Sequence, residues 1–485
     1  MKNRKRQLSL LVLTTLLITS CGSATGGQSP VSDTTDSTTP AETEYQYEYP
    51  KLDMDGADFT MLNSTTTWGF YTDIHFDEAT GDSLDDAVYK RNTSIEERFN
   101  VNFVIEEDDI DTTYTLVNTA VMAGDDQYKV AFLRCDQLSA MITDKYFYDL
   151  NLIPELRLDE AWWDQNVLDV VRIGKDDVTY FAATDFTLMG FDGTICTFIN
   201  ENMMNDLNAE MPYELVRQGK WTLDEMQKLM TLGASLNGDE SFAWDANGSA
   251  VYGLTSWGTS AHALLFGAGA RYTERGDNGL PTITFENERF YNVCEKIGKM
   301  LSVEGEWLLL NTNQDPDHYE MAFKRGRALM TIAELKASSK FRDMEYTFGI
   351  VPMPKFDEEQ KEYSTYRAPV NPVMCIPVTN VTPKETAIIM DALTYLSYRD
   401  VLPVYYDISV SQKGLRNDES IEMLEIIRET RYFDIAKCYG WTSSLYSSIE
   451  SLLTAGNGAV ASTIASEKPA VLENIEKTLE LLGEK

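Results

Sequence analysis

Short apolar runs alternate with capped, amphipathic stretches along this chain, and that alternation limits its fold more than any other feature. Val130-Ala131-Phe132-Leu133, Thr194-Ile195-Cys196-Thr197-Phe198-Ile199, Ala328-Leu329-Met330-Thr331-Ile332 and Phe348-Gly349-Ile350-Val351 are short and bounded by polar residues. They read as strands buried on both faces. Between such runs lie helix starts in which a hydroxyl side chain is followed three residues later by an acid. Ser83-Leu84-Asp85-Asp86 opens one with Leu84, Val88 and Ile95 on a single face, and Thr222-Leu223-Asp224-Glu225 opens another with Leu223, Met226, Leu229 and Met230 inward. Thr382-Pro383-Lys384-Glu385 places proline at the first helical position. The pattern predicts an α/β architecture, and 485 residues suffice for two or three domains. No repeat period is visible, and the acidic string Glu106 to Asp111 reads as a solvated loop.

The amino terminus has a separate character. Lys2-Asn3-Arg4-Lys5-Arg6 is a basic leader, and the apolar stretch from Leu8 to Ile18 is too short to span a bilayer comfortably. It ends Leu17-Ile18-Thr19-Ser20-Cys21-Gly22, which resembles the bacterial lipobox. The resemblance implies cleavage before Cys21 and lipidation of its thiol, and more than one buried acyl chain gives durable anchoring. Residues 1–20 are thus expected to be a lipoprotein signal peptide. Residues 21–44, rich in Gly, Ser, Thr and Pro, are expected to be a disordered tether. No later stretch is long and apolar enough to cross a membrane.

Charge and chemistry exclude several classes. With 41 Lys and Arg against 77 Asp and Glu, the formal charge is −36, a field that repels nucleic-acid phosphates. Beyond Cys21, the widely spaced Cys135, Cys196, Cys294, Cys375 and Cys438 form no C-x-x-C. No structural zinc site is indicated, and buried free thiols are expected, with one disulfide left open. There are three histidines, with no H-E-x-x-H, nucleophile elbow or Walker loop. Gly456-x-Gly458-x-x-Ala461 follows a helix-like stretch where a dinucleotide loop needs a strand. Asn311-x-Asn313-x-Asp315-Pro316-Asp317 lacks the later ligands of a calcium loop and reads as a polar turn. Neither a cofactor nor a metal is expected. Acids are so numerous that a secreted glycoside hydrolase is not ruled out by counting.

The order of the segments resembles extracellular solute-binding proteins of the maltodextrin-binding type, over roughly Gly69 to the end. Arg98-Phe99-Asn100-Val101-Asn102-Phe103 is similar to the first helix running into the second strand. Phe198-Ile199-Asn200-Glu201-Asn202 stands for the family's Tyr-Asn-Lys after a hydrophobic strand, and Lys220-Trp221-Thr222-Leu223-Asp224-Glu225 for its Trp-containing helix start. Phe323-Lys324-Arg325-Gly326-Arg327-Ala328-Leu329-Met330 matches F-x-x-G-x-A-A-M, and Gly349-Ile350-Val351-Pro352-Met353-Pro354 is similar to G-V-x-P-x-P. The resemblance implies a two-lobed, type II periplasmic-binding-protein-like fold, two α/β lobes joined by crossing hinge segments. It predicts a first lobe from 45–188 with 315–372 and a second from 189–314 with 373–485. Crossings are expected near Ala183 to Ile195, Asn311 to Phe323 and Pro369 to Pro377.

Sugars are held by aromatic faces and by planar polar groups, and in this fold such groups follow the strands. Trp68, Tyr71 and Asp73 are candidates after the first strand, and Arg134, Asp136 and Gln137 after Leu133. Asp136 falls where the family often places a sugar-binding acid, although Leu133 stands where the maltodextrin type has an aromatic. Asp185 and Phe186 lie at the first crossing, Trp257 follows Tyr252 to Ser256, Glu334 follows Met330, and Trp441 and Tyr446 lie in the late segment. Trp162, Trp163 and Trp221 read as packing residues. Together these features predict a lipid-anchored, monomeric, non-enzymatic protein on the outer face of the cell membrane. It would capture a small solute, a carbohydrate by the resemblance, and deliver it to an ABC-type permease. A sensing lipoprotein without a transport role would have the same sequence features.

Overall fold

The computed structural model describes residues 47–312, 314–315, 317–407, 418–456 and 458–483; the leader, Cys21 and the tether lie outside them. Nine strands build two large sheets: β1 (Ala57–Thr65), β2 (Val101–Asp109), β3 (Val130–Arg134), β4 (Ile195–Asn200), β5 (Tyr252–Ser256), β6 (Trp307–Leu309), β7 (Ala328–Glu334), β8 (Phe348–Val351) and β9 (Pro372–Cys375). The first sheet runs β9-β3-β1-β2 and the second β8-β4-β7-β5-β6. In the first, β1 pairs parallel with β2 from Ala57↔Val101 to Thr65↔Asp109 and with β3 at Met61↔Val130, while β9 is antiparallel to β3. In the second, β5 lies parallel to β6 and β7, and β4 is antiparallel to β7 and β8. The expected α/β architecture is what forms, and its two layered sheets are the cores of two lobes.

The central strands are apolar because helices cover both of their faces. Every residue of β4, β5, β8 and β9 is buried. Gly253 in β5 shows how close the cover lies: a Cβ there would stand 2.1 Å from Met230 O of the helix Leu223–Gly233. Trp162 and Trp163 both donate from their indoles to Asp391, and Trp221 donates to Pro352 O at 2.9 Å. All three are buried packing residues, as expected.

Several expectations need correction. The segment 315–372 does not belong with the first sheet: β7 joins β4 and β5, with Met330 opposite Leu254, and β8 joins β4. Conversely, β9 pairs with β3, and the following helix Pro383–Leu396 packs on Ser83–Phe99, so this part of 373–485 belongs with the first sheet. The chain passes to the second sheet between Ala182, which bridges Met374, and Ile195. It returns between Val351 and Pro372, and no crossing occurs at Asn311 to Phe323, where both flanking strands lie in the second sheet. A run buried on both faces fits either sheet, so the segment order left its assignment open. The acidic string also differs: Glu106 to Asp109 continues β2, an edge strand on which outward carboxylates are well hydrated. The first helix is capped by Asp82, whose side chain accepts from Leu84 and Asp85, one residue before the expected Ser83. Cys135, Cys196, Cys294, Cys375 and Cys438 are free and buried. Among the described residues, no helix is long and apolar enough to cross a membrane.

Candidate functional site

Parallel strands place the loops after their carboxyl ends on one edge of a sheet, where open α/β folds bind ligands. In the first sheet that edge carries the loops after β1 and β3. Trp68 follows β1 and is 39% exposed, with the guanidinium of Arg134 6.0 Å from its ring centre. Arg134, the last residue of β3, donates from Nε to Asp136 Oδ1 at 2.6 Å and from Nη1 to Asp111. Gln137 reaches Asp111 O at 3.4 Å through Nε2, while its buried Oε1 has no partner.

The second sheet supplies the opposing edge. Trp257, directly after β5, stacks on Tyr319 with centroids 4.9 Å apart and planes inclined by 20°. Glu334 ends β7 and accepts an ion pair from Lys336 Nζ at 2.7 Å. Glu320, almost wholly buried, receives Lys340 Nζ at 2.5 Å and lies 3.3 Å from His318 Nδ1. Burial raises the Glu334 carboxyl above the ordinary carboxylate range, with Lys336 pulling the other way. Burial lowers His318, with the Glu320 carboxylate pulling the other way.

Three residues not anticipated from sequence join these edges. Lys336 Nζ lies 3.5 Å from the centre of the Phe70 ring, which comes from the loop after β1. Asp192, buried in the crossing segment, accepts from Tyr71 N at 2.7 Å through Oδ2 and from the Tyr405 hydroxyl through Oδ1. The Asp192 carbonyl also accepts from Lys336 N at 3.1 Å. Lys336 follows Glu334 by two residues, and that Glu-x-Lys spacing just past a strand was the available signal. For Asp192 and Phe70 no local pattern marks the role, because it arises from the crossing of the chain.

The structure thus gathers Trp68, Tyr71, Arg134, Asp136, Gln137, Trp257 and Glu334 on the two facing edges. Tyr446 is also near: its hydroxyl meets that of Tyr366 at 3.0 Å, its ring stacks on His262, and the Asp136 carboxylate acts on it electrostatically. Asp73 is exposed in the same loop as Trp68 and Tyr71. Others are elsewhere. Asp185 is buried between Arg431 at 3.4 Å and Arg428 at 3.9 Å. Phe186 lies in the core, stacked on Phe132 and under the Arg91 guanidinium. Trp441 is 1% exposed, donates to Thr478 Oγ1 at 2.9 Å and stacks on Tyr439, packing the last helix. Asp185, Phe186 and Trp441 therefore serve internal packing, because their polar atoms and faces are taken up within the fold.

Two sheets of this strand order, linked by crossing segments and facing each other across polar strand ends, define a type II periplasmic-binding-protein-like fold. Among solved structures, a cyclo/maltodextrin-binding protein complexed with maltotetraose aligns over 90% of this chain and 98% of its own, with a TM-score of 0.56 and 11% identity. A cyclic α-maltosyl-1,6-maltose binding protein from Arthrobacter globiformis gives a TM-score of 0.56 at 11% identity, over 87% of this chain and 99% of its own. An ABC substrate-binding protein from Listeria monocytogenes in complex with cycloalternan gives 0.51 at 13% identity, over 88% and 100%. No family model and no curated protein matches the sequence.

Proposed function

We propose that this chain is a lipid-anchored, extracellular solute-binding protein that captures a small polar molecule, a carbohydrate, between its lobes and hands it to an ABC-type permease. The observation that carries this reading is the presence of an aromatic platform, Trp257 on Tyr319, at the loop end of the second sheet and of planar charged groups, Arg134 and Asp136, at the loop end of the first. An aromatic face packs against the C–H surface of a sugar ring, while guanidinium and carboxylate pair with its hydroxyls. Of the solved structures it resembles, one is complexed with maltotetraose, one is in complex with cycloalternan, and one is a cyclic α-maltosyl-1,6-maltose binding protein. Four carboxylates at these loop ends have partners: Asp136 in Arg134, Glu334 in Lys336, Glu320 in Lys340, and Asp192 in Tyr71 N. The chain acts as a monomer, held by acyl chains on Cys21, and needs no cofactor.

Closure follows ligand because only a solute that prefers the closed form can shift the equilibrium. A thermal-shift screen against mono- and oligosaccharides tests the reading. A ligand at about 100 times its dissociation constant stabilises the fold by about 2.7 kcal/mol. The solute is expected back unchanged, and X-ray scattering is expected to show compaction on binding. If no sugar stabilises the chain, or if a bound glycan is cleaved, the reading fails.

A further inference from the structure

Cys135 opens the turn immediately after β3, next to Asp136, and Cys438 ends the short helix Ile435–Cys438. The turn and the helix pack directly against each other. Ser139 Oγ donates to Tyr439 O at 2.9 Å, and a Cβ on Gly440, at φ 70°, would lie 3.1 Å from that Oγ. Both thiols are wholly buried, and each is among the groups that shift the other. They are anchored on different bodies. Cys135 is continuous with the first sheet through β3. Cys438 leads into the helix Ser443–Thr454, which packs on Ser260–Gly267 and Glu288–Met300, the latter two also packed on each other, with Ser260–Gly267 against β4 of the second sheet.

We propose that Cys135 and Cys438 are a modification site, a thiol pair that a small disulfide oxidant converts to a disulfide, pinning the lobes together. The inference rests on the lobe-closure reading above. While the groove is shut, burial holds both thiols protonated and poorly nucleophilic. Opening exposes one of them. It loses its proton and attacks the oxidant's S–S bond, which forms a mixed disulfide and releases one oxidant thiol. Closure brings in the partner thiol, which loses its proton and displaces the second oxidant thiol. The protein gives up two protons and two electrons, and the oxidant's disulfide is reduced to two thiols. Because Cys135 adjoins Asp136, the bond would fix the candidate ligand loop against the late helices.

The full chain, without solute, is incubated with oxidised glutathione and its peptides are mapped by mass spectrometry without reduction. The expected product is a Cys135–Cys438 cross-linked pair, with two fewer titratable thiols under denaturing conditions. The bond persists in C375S and is lost in C135S and C438A, whose melting curves report whether they fold. Scattering is expected to give a smaller radius of gyration for the oxidised chain than for the reduced one, and a reducing agent restores the larger value. Unchanged thiol counts at exhaustive oxidant, or a Cys135–Cys375 bond within the first sheet, overturn the site. A Cys135–Cys438 bond without compaction overturns the pinning. None of these readouts needs a bound sugar, so failure of the capture reading in the solute screen is seen separately.

Discussion

Arg134 and Lys336 hold comparable positions at the loop ends of the two sheets, and their surroundings differ. Arg134 is shared between Asp136 and Asp111, and the Asp111 side chain is about half in solvent, with the exposed Trp68 above. Lys336 and Glu334 are both nearly buried, roofed by Phe70, with the backbone of Lys336 tied to Asp192. The first edge presents polar groups that can exchange partners with water or solute. The second presents a charge pair and a stacked aromatic whose geometry is set before any ligand arrives. A fixed platform loses little conformational freedom on binding, so affinity is expected to concentrate on the second edge and adaptability on the first.

The sharpest way to break this comparison is to remove one cation from each edge. K336A leaves Glu334 buried without its counter-charge, and losing one partner of a buried pair costs about 3 kcal/mol or more. R134A leaves Asp111, half in solvent, and Asp136, 11% exposed, without their cation; Arg134 is itself more open than Lys336, and the loss is expected to be smaller, about 1–2 kcal/mol. Urea unfolding at pH 7 measures both. Equal losses would show that the two edges are equally rigid.

How much of this was legible beforehand depends on the kind of signal. Period and capping marked β3, β4, β7 and β8 as strands because their side chains are apolar on both faces. That same uniformity hid which sheet each strand joins, since no polar face orients it. Glu106 to Asp109 were misread for the converse reason: an edge strand tolerates charge, so its hydration resembles that of a loop. Arg134, Asp136, Trp257 and Glu334 could be nominated because each directly follows or ends an apolar run. Phe70, Asp192 and Lys336 meet only after the chain has crossed between lobes, and no local pattern encodes a contact across 144 to 266 residues of tertiary path as directly as strand spacing encodes a sheet edge. Trp441 misled for a simpler reason: an indole serves a core as well as a cleft.

The aromatic residues sharpen the contrast at a smaller scale. Trp257 is seated on Tyr319, so W257A is expected to remove an ordered face and weaken solute binding ~30-fold, about 2 kcal/mol. Trp68 is exposed and held only by distant ring contacts, and W68A is expected to cost ~3-fold, about 0.7 kcal/mol. Titration calorimetry with any sugar found in the thermal screen compares them. A larger loss for W68A would move the binding platform to the first edge.

The smallest expected effect lies in the pH dependence of stability. Burial raises the Glu334 carboxyl in the folded chain, so between its ordinary range and the raised value the native state holds a proton that the unfolded state has released. Stability therefore falls as pH rises through that window, and the contribution is largest at its acid end. E334Q has no proton to exchange and should lose that part of the slope. Urea midpoints from pH 4 to 7 for the wild type and E334Q give the difference. If E334Q keeps the wild-type slope, Glu334 is not the group titrating, and the second edge is more hydrated than its packing implies.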